Sequence, residues 1–113
     1  MGTYRQEKIS ELLREEIGKI LLRELDFDAD AIVTVTRAIV SEDRNHAKIY
    51  VSVLPSQFAE EAMEAIKKQV YFLQQALNKK MRIRPVPRIA FVLDRTEEEA
   101  ARIEKIIDET KEE

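Results

Sequence analysis

Cysteine is missing from this chain, glycine occurs only twice and histidine only once. Without cysteine there is no disulfide, no thiolate nucleophile and no sulfur-ligated metal, and the simplest reading is a reducing, cytoplasmic setting. Gly2 and Gly18 stand far apart, so neither of the glycine-rich loops that cradle nucleotide phosphates can be built. His46 opens a strand-like run, where a lone surface histidine has nothing to make it a general base or a metal ligand. The serines Ser10, Ser41, Ser52 and Ser56 lack a second histidine or a lysine arrangement that would activate them. No catalytic residue, metal ligand or cofactor is therefore expected. Apolar runs such as Ala31-Ile32-Val33 are too short for a bilayer and the first residues lack a signal-peptide stretch, so no membrane association is expected. A chain of 113 residues fits one domain, residues 1–113, with a single core.

Three patterns organise the chain. From Thr3 to Leu25, Ile9, Leu12, Leu13, Ile17, Ile20, Leu21 and Leu25 recur at helical spacing, with Thr3 and Gln6 at the separation of a capping box. Gly18 interrupts this helix at a cost of about 1 kcal/mol against Ala, which predicts a close approach by a neighbouring element. The β-branched run Ala31–Val40, the polar turn 41–45 and the alternating run His46–Val53 predict a hairpin. Its second strand turns Ala47, Ile49, Val51 and Val53 to one face and His46, Lys48, Tyr50 and Ser52 to the other, so helices should cover only the first. Phe58, Ala62, Ala65, Ile66, Val70, Leu73, Leu77 and Met81 then trace a helical stripe too long to stay unbroken. After Pro85-Val86-Pro87, Arg88–Leu93 reads as a third strand, and Thr96 with Glu99 caps a short terminal helix through Ile107.

Charge is distributed unevenly. Residues 79–88 hold five basic side chains (Lys79, Lys80, Arg82, Arg84 and Arg88) and no acid, whereas the other 103 residues carry 14 basic and 22 acidic ones. Lys79 and Lys80 would suit a helix C-terminus, where each is worth about 0.3–1 kcal/mol against the macrodipole. The three arginines continue into extended chain with no dipole to neutralise. A dense basic stripe on an acidic body fits phosphate, and nucleic acid is the leading partner. Alternation with Met81, Ile83 and Val86 should bury those residues and splay the arginines outward as phosphate contacts. Lys67 and Lys68 are candidate extensions of the stripe. Aromatics are few: Phe72 is expected in the core and Tyr50 on the wet sheet face, so readout should favour backbone and shape over base sequence.

The order helix, strand, strand, long helix pair, strand resembles the KH-like proteins, and the details resemble the ribosome-binding factor A family. The resemblance spans nearly the whole chain. It rests on Glu11-Leu12-Leu13-Arg14-Glu15-Glu16-Ile17, Val33-Thr34-Val35-Thr36, Ser41-x-Asp43 before His46-Ala47-Lys48-Ile49-Tyr50-Val51-Ser52-Val53, Phe72-Leu73, Met81-Arg82-Ile83-Arg84-x-Val86-Pro87, and Phe91-x-x-Asp94 before Arg102-Ile103. It implies an α+β, KH-like (type II-like) α-β-β-α-α-β fold, with a three-stranded sheet covered by helices on one face and a short C-terminal helix. It also implies binding to the immature small ribosomal subunit, on 16S ribosomal RNA near the 5′ end and decoding region, during late subunit biogenesis, rRNA processing and adaptation to cold.

Two departures from the family pattern carry expectations. Asp26-Phe27-Asp28-Ala29-Asp30 replaces the family's Asp-Pro-Arg turn, so that loop should not touch RNA. Gln69-Val70-Tyr71 replaces the small residues that usually permit the kink between the two later helices, so a shallower bend held by packing is expected, with a local helix end near Asn78. The reading is a monomeric RNA-binding domain acting on the small subunit, with no DNA partner and no chemistry. The alternative is an acidic adaptor that docks basic ribosomal proteins without touching RNA.

Overall fold

A computed structural model describes residues 2–96 and residue 99 of the chain. Helix α1 spans Gly2–Glu24. It buries Leu13, Ile17, Ile20 and Leu21, while Leu12, also apolar, faces outward. The helix begins before Thr3, so Thr3 is no cap, and Gln6 instead directs its Nε2 to the carbonyl of Val40 at 3.4 Å. Gly18 also departs from expectation, because a Cβ placed there would meet nothing within 4 Å.

Strands β1 (Ile32–Val40) and β2 (His46–Leu54) form the antiparallel hairpin, and β3 (Arg88–Leu93) lies parallel to β2, giving the order β1-β2-β3. A bulge shifts the β1 register between Val35 and Arg37, leaving Thr36 out of register while its hydroxyl lies within hydrogen-bond distance of the Tyr50 carbonyl of β2, at 3.3 Å. Inward positions therefore change phase, from Val33 and Val35 to Ala38 and Val40, which keeps Arg37 and Ile39 on the outer face. In the connecting turn, Arg44 adopts a left-handed φ of 62°. Asp43 accepts hydrogen bonds there from the Ser41 hydroxyl at 2.6 Å and from the Asn45 amide at 2.9 Å.

After a 3₁₀ turn at Ser56–Phe58 come α2 (Ala59–Lys68) and α3 (Val70–Lys80). The break expected near Gln69 is present: Gln69 leaves helical geometry at φ −106°, ψ 10°, and its amide donates to Ile66 rather than to a carbonyl four residues back. No glycine is needed, because a single residue in this conformation separates two buried sets, Ala62, Met63 and Ile66 before it and Leu73 and Leu77 after it. The helix end expected near Asn78 is not there. Instead α3 continues to Lys80, and the Asn78 side chain accepts from Gln74 Nε2 at 3.1 Å.

All three helices bury their apolar faces on one side of the sheet, against Ala47, Ile49, Val51, Val53, Ile89 and Phe91. The α+β, KH-like architecture follows: three helices on a three-stranded mixed sheet whose other face no helix among the described residues covers. The terminal helix expected from Ala100 to Ile107 lies outside the described residues. Just before that segment, the Asp94 carboxylate accepts the Thr96 amide at 2.9 Å and the Thr96 hydroxyl at 2.6 Å. No described helix is long and apolar enough to cross a membrane.

Candidate nucleic-acid interface

The basic segment leaves α3 at Met81, which is buried and pins the chain to the core. Ile83 and Val86 are half-buried against that core and Pro87 is buried, while Arg82, Arg84 and Arg88 are exposed. The alternation read from the sequence thus acts as a ratchet, each apolar residue turning the next cation outward. Lys79 and Lys80 precede them in the exposed last turn of α3. Among the described residues, none of the five cations is in an ion pair. Arg84 alone is partly engaged: its Nη1 donates to the carbonyls of Met81 at 2.8 Å and Ile83 at 2.7 Å. That contact shapes the loop around the C-terminus of α3 and leaves the other guanidinium N–H groups for a ligand.

A second anchor fixes the far end of the segment. Gln74 of α3 accepts the Ile89 amide on Oε1 at 2.9 Å and donates from Nε2 to the Pro87 carbonyl at 3.1 Å. Residues 87 and 89 direct these groups away from β2, so the Gln74 amide substitutes for a neighbouring strand on that edge. On the inner side, the Arg88 amide donates to the Asn45 carbonyl at 2.9 Å, tying β3 to the hairpin turn. Arg88 therefore projects from backbone held on both sides, above a groove of about 510 Å³ bordered by Tyr71, Gln75, Asn78 and Val86.

Lys67 and Lys68 do not join this stripe. They end α2, with most of α3 between them and Lys79, a separation of roughly 16 Å along the helix. Lys68 borders a depression shared with Glu61 and Glu64, so its surroundings are acidic. Phe72, expected in the core, is instead 49% exposed, and its neighbour Tyr71 is 77% exposed. Val70, Leu73 and Leu77 already fill the inward positions of α3, so residues 71 and 72 fall outside the stripe.

The open sheet face has its own polar node, which the sequence did not reveal. The Arg37 guanidinium lies over the Tyr50 ring at 4.1 Å and its Nε is 3.9 Å from Asp94 Oδ2. Asp94 also accepts the Thr36 hydroxyl on Oδ2 at 2.6 Å. Donation first from Thr36, then from the Thr96 side chain and amide, lowers the Asp94 carboxyl to a pKa of about 2. Tyr50, expected on the wet sheet face, thus already carries a cation on one face of its ring. Arg37 did not stand out in the sequence, Asp94 appeared only within the Phe91-x-x-Asp94 resemblance, and no local pattern placed the two together.

A family model described as ribosome-binding factor A matches residues 5–107. The chain belongs to the ribosome-binding factor A family. Ribosome-binding factor A of Desulfitobacterium hafniense (strain DSM 10664 / DCB-2) is 34% identical over the whole of this chain and 91% of its own length. Among solved structures, the crystal structure of ribosome-binding factor A from Thermus thermophilus superposes with a TM-score of 0.68 at 22% identity, covering 78% of this chain and 94% of that one. A homology model of the Thermus thermophilus factor, fitted into a cryo-EM map of a 30S complex, matches with a TM-score of 0.61 at 22% identity, over 76% of this chain and 91% of that one. At these identities the two structures support the fold alone. Family membership comes from the sequence matches.

Proposed function

We propose that this protein binds the immature small ribosomal subunit through structured 16S ribosomal RNA and assists its late maturation, without catalysing a reaction. One observation carries the reading: Lys79, Lys80, Arg82, Arg84 and Arg88 form an exposed cationic run with no carboxylate partner among the described residues, on a chain of net charge −3. Family membership supports the partner, as does the relative fitted into a 30S complex. The work done is positional. A rigid cationic edge that holds one arrangement of an RNA segment more tightly than another shifts the population toward the first by the difference in affinity. Lys67 and Lys68 are outlying contacts in this reading, reached only by RNA that extends along α3. The protein acts as a monomer of one domain in the cytoplasm.

Binding to purified small subunits, measured against salt, tests the proposal. Five phosphate contacts on single-stranded RNA give a log–log slope near −3.5, about a hundredfold loss of affinity for a fourfold rise in salt. The double reversal Arg82→Glu and Arg84→Glu should weaken binding and flatten that slope. Affinity unchanged from wild type at every salt concentration would instead select the acidic adaptor. Crosslinks to 16S RNA should map to residues 79–88.

A further inference from the structure

We propose that the face of the sheet that no helix among the described residues covers is a second nucleic-acid site, which takes one base of a single-stranded RNA together with its flanking phosphates. The inference rests on the RNA-binding reading above but uses a different surface. Ile39, Lys48 and Ala90 form one row across the three strands, and His46 and Arg88 are paired in the next row toward the hairpin turn. Between these rows lies a depression of about 420 Å³ whose floor includes Ile39, 47% exposed, and Ala90. Its volume is in the range of small-ligand sites.

The chemistry of the lining selects the occupant. Lys48 and Arg88 supply two cations beside an apolar floor, Tyr50 supplies a phenol, the Ser41 hydroxyl is already engaged with Asp43 and the His46 amide, and among the described residues no carboxylate lines the depression. Asp43, in the adjacent turn, is committed to Ser41 and Asn45. Ala90 leaves depth where a larger side chain would fill the surface, so a flat apolar group can settle while its charged substituents reach the rim. A nucleotide has that combination of a planar base and phosphates, and a neutral peptide does not. Tyr50 forms a wall rather than a platform, because Arg37 already covers one face of its ring. Arg88 belongs to the cationic run and also borders this depression, so one strand can pass from the loop at residues 82–87 onto the sheet without leaving positive charge.

The test is an amide-resolved NMR titration of the full chain with hexauridylate. Resonances of Ile39, Lys48 and Ala90 should shift, and Ala90→Glu or Lys48→Gln should each weaken hexauridylate binding about tenfold. The double variant Arg82→Glu and Arg84→Glu should retain those shifts while losing subunit affinity, which separates this site from the loop. Shifts confined to residues 79–88 would overturn the sheet site and leave the loop reading standing. Nuclear Overhauser contacts from Ile39 or Ala90 to Ile103 or Ile107 in the free chain would assign the face to the chain's own acidic C-terminal segment, and would overturn it as well.

Discussion

Gln74 and Ile89 are joined as a helix side chain and a strand amide: the Ile89 N–H, facing away from β2, ends on Gln74 Oε1 at 2.9 Å. The same side chain donates to the Pro87 carbonyl, so one glutamine closes the strand edge immediately on both sides of Arg88. Gln74→Ala leaves both groups without their partner in a half-buried position. Loss of about 1–3 kcal/mol in stability is expected by urea unfolding. Subunit binding at a temperature where the variant stays folded should weaken as well, since Arg88 then starts from a looser strand. Gln74→Glu keeps the acceptor for Ile89 but loses the donor to Pro87, and should fall between the two.

Asp94 links the β1 bulge to the end of β3, and its low pKa makes that link sensitive to pH. Its folded pKa, about 2, lies below the ordinary value of 3.8. The carboxylate therefore stabilises the fold fully above pH ~4, and that contribution is lost as pH falls toward 2. Asp94→Asn should cost about 1–2 kcal/mol at neutral pH through weaker bonds to Thr36 and Thr96. The stability difference between Asp94→Asn and wild type should shrink between pH 4 and 2, as followed by thermal unfolding across that range.

Gly18 stands inside α1 with open space where a side chain would project. Nothing in the packing needs the missing Cβ, and the helix carries the entropic cost of glycine without return. Gly18→Ala should therefore raise stability by about 0.5–1 kcal/mol, seen as a higher denaturation midpoint with an unchanged slope. A destabilised variant would mean that α1 lies closer to another element than the structure places it.

The fold was readable wherever periodicity and burial agree. The Ala47-Ile49-Val51-Val53 alternation set the inner face of β2, and Leu13-Ile17-Ile20-Leu21 set the buried side of α1. What stayed hidden depended on one residue's local geometry or on distant partners. A bulge at Thr36 reverses the facing of half of β1, and a β-branched run without clear alternation cannot locate it. The break at Gln69, by contrast, was expected from the length of the apolar stripe and the family pattern, although no glycine or proline marks the place. For the candidate interface, local charge density singled out residues 79–88, and the apolar spacing of Met81, Ile83 and Val86 matches the outward direction of the cations between them. Lys67 and Lys68 were named for their charge as a possible extension, and most of α3 lies between them and the stripe. The Gln74 clamp and the Arg37–Tyr50 stack join residues 13 apart or more, and no local pattern encodes them.

Arg82 and Arg84 are both exposed arginines of the same loop, but their side chains are used differently. The Arg82 side chain has no hydrogen bond within the protein among the described residues, while Arg84 Nη1 is bonded to the carbonyls of Met81 and Ile83. Arg82→Ala should leave stability within about 0.5 kcal/mol of wild type. It should lower the magnitude of the log–log salt slope for subunit binding by about 0.7, the loss of one phosphate contact. Arg84→Ala removes a charge and also the bonds that hold the loop to the end of α3. It should cost about 1 kcal/mol in stability and weaken binding by more than the single charge accounts for, with the excess persisting at high salt. Arg84→Lys restores the charge without the planar fork, so it should recover the slope but not the high-salt affinity. Equal behaviour of Arg82→Ala and Arg84→Ala in salt titrations would show that the loop's shape contributes nothing to recognition.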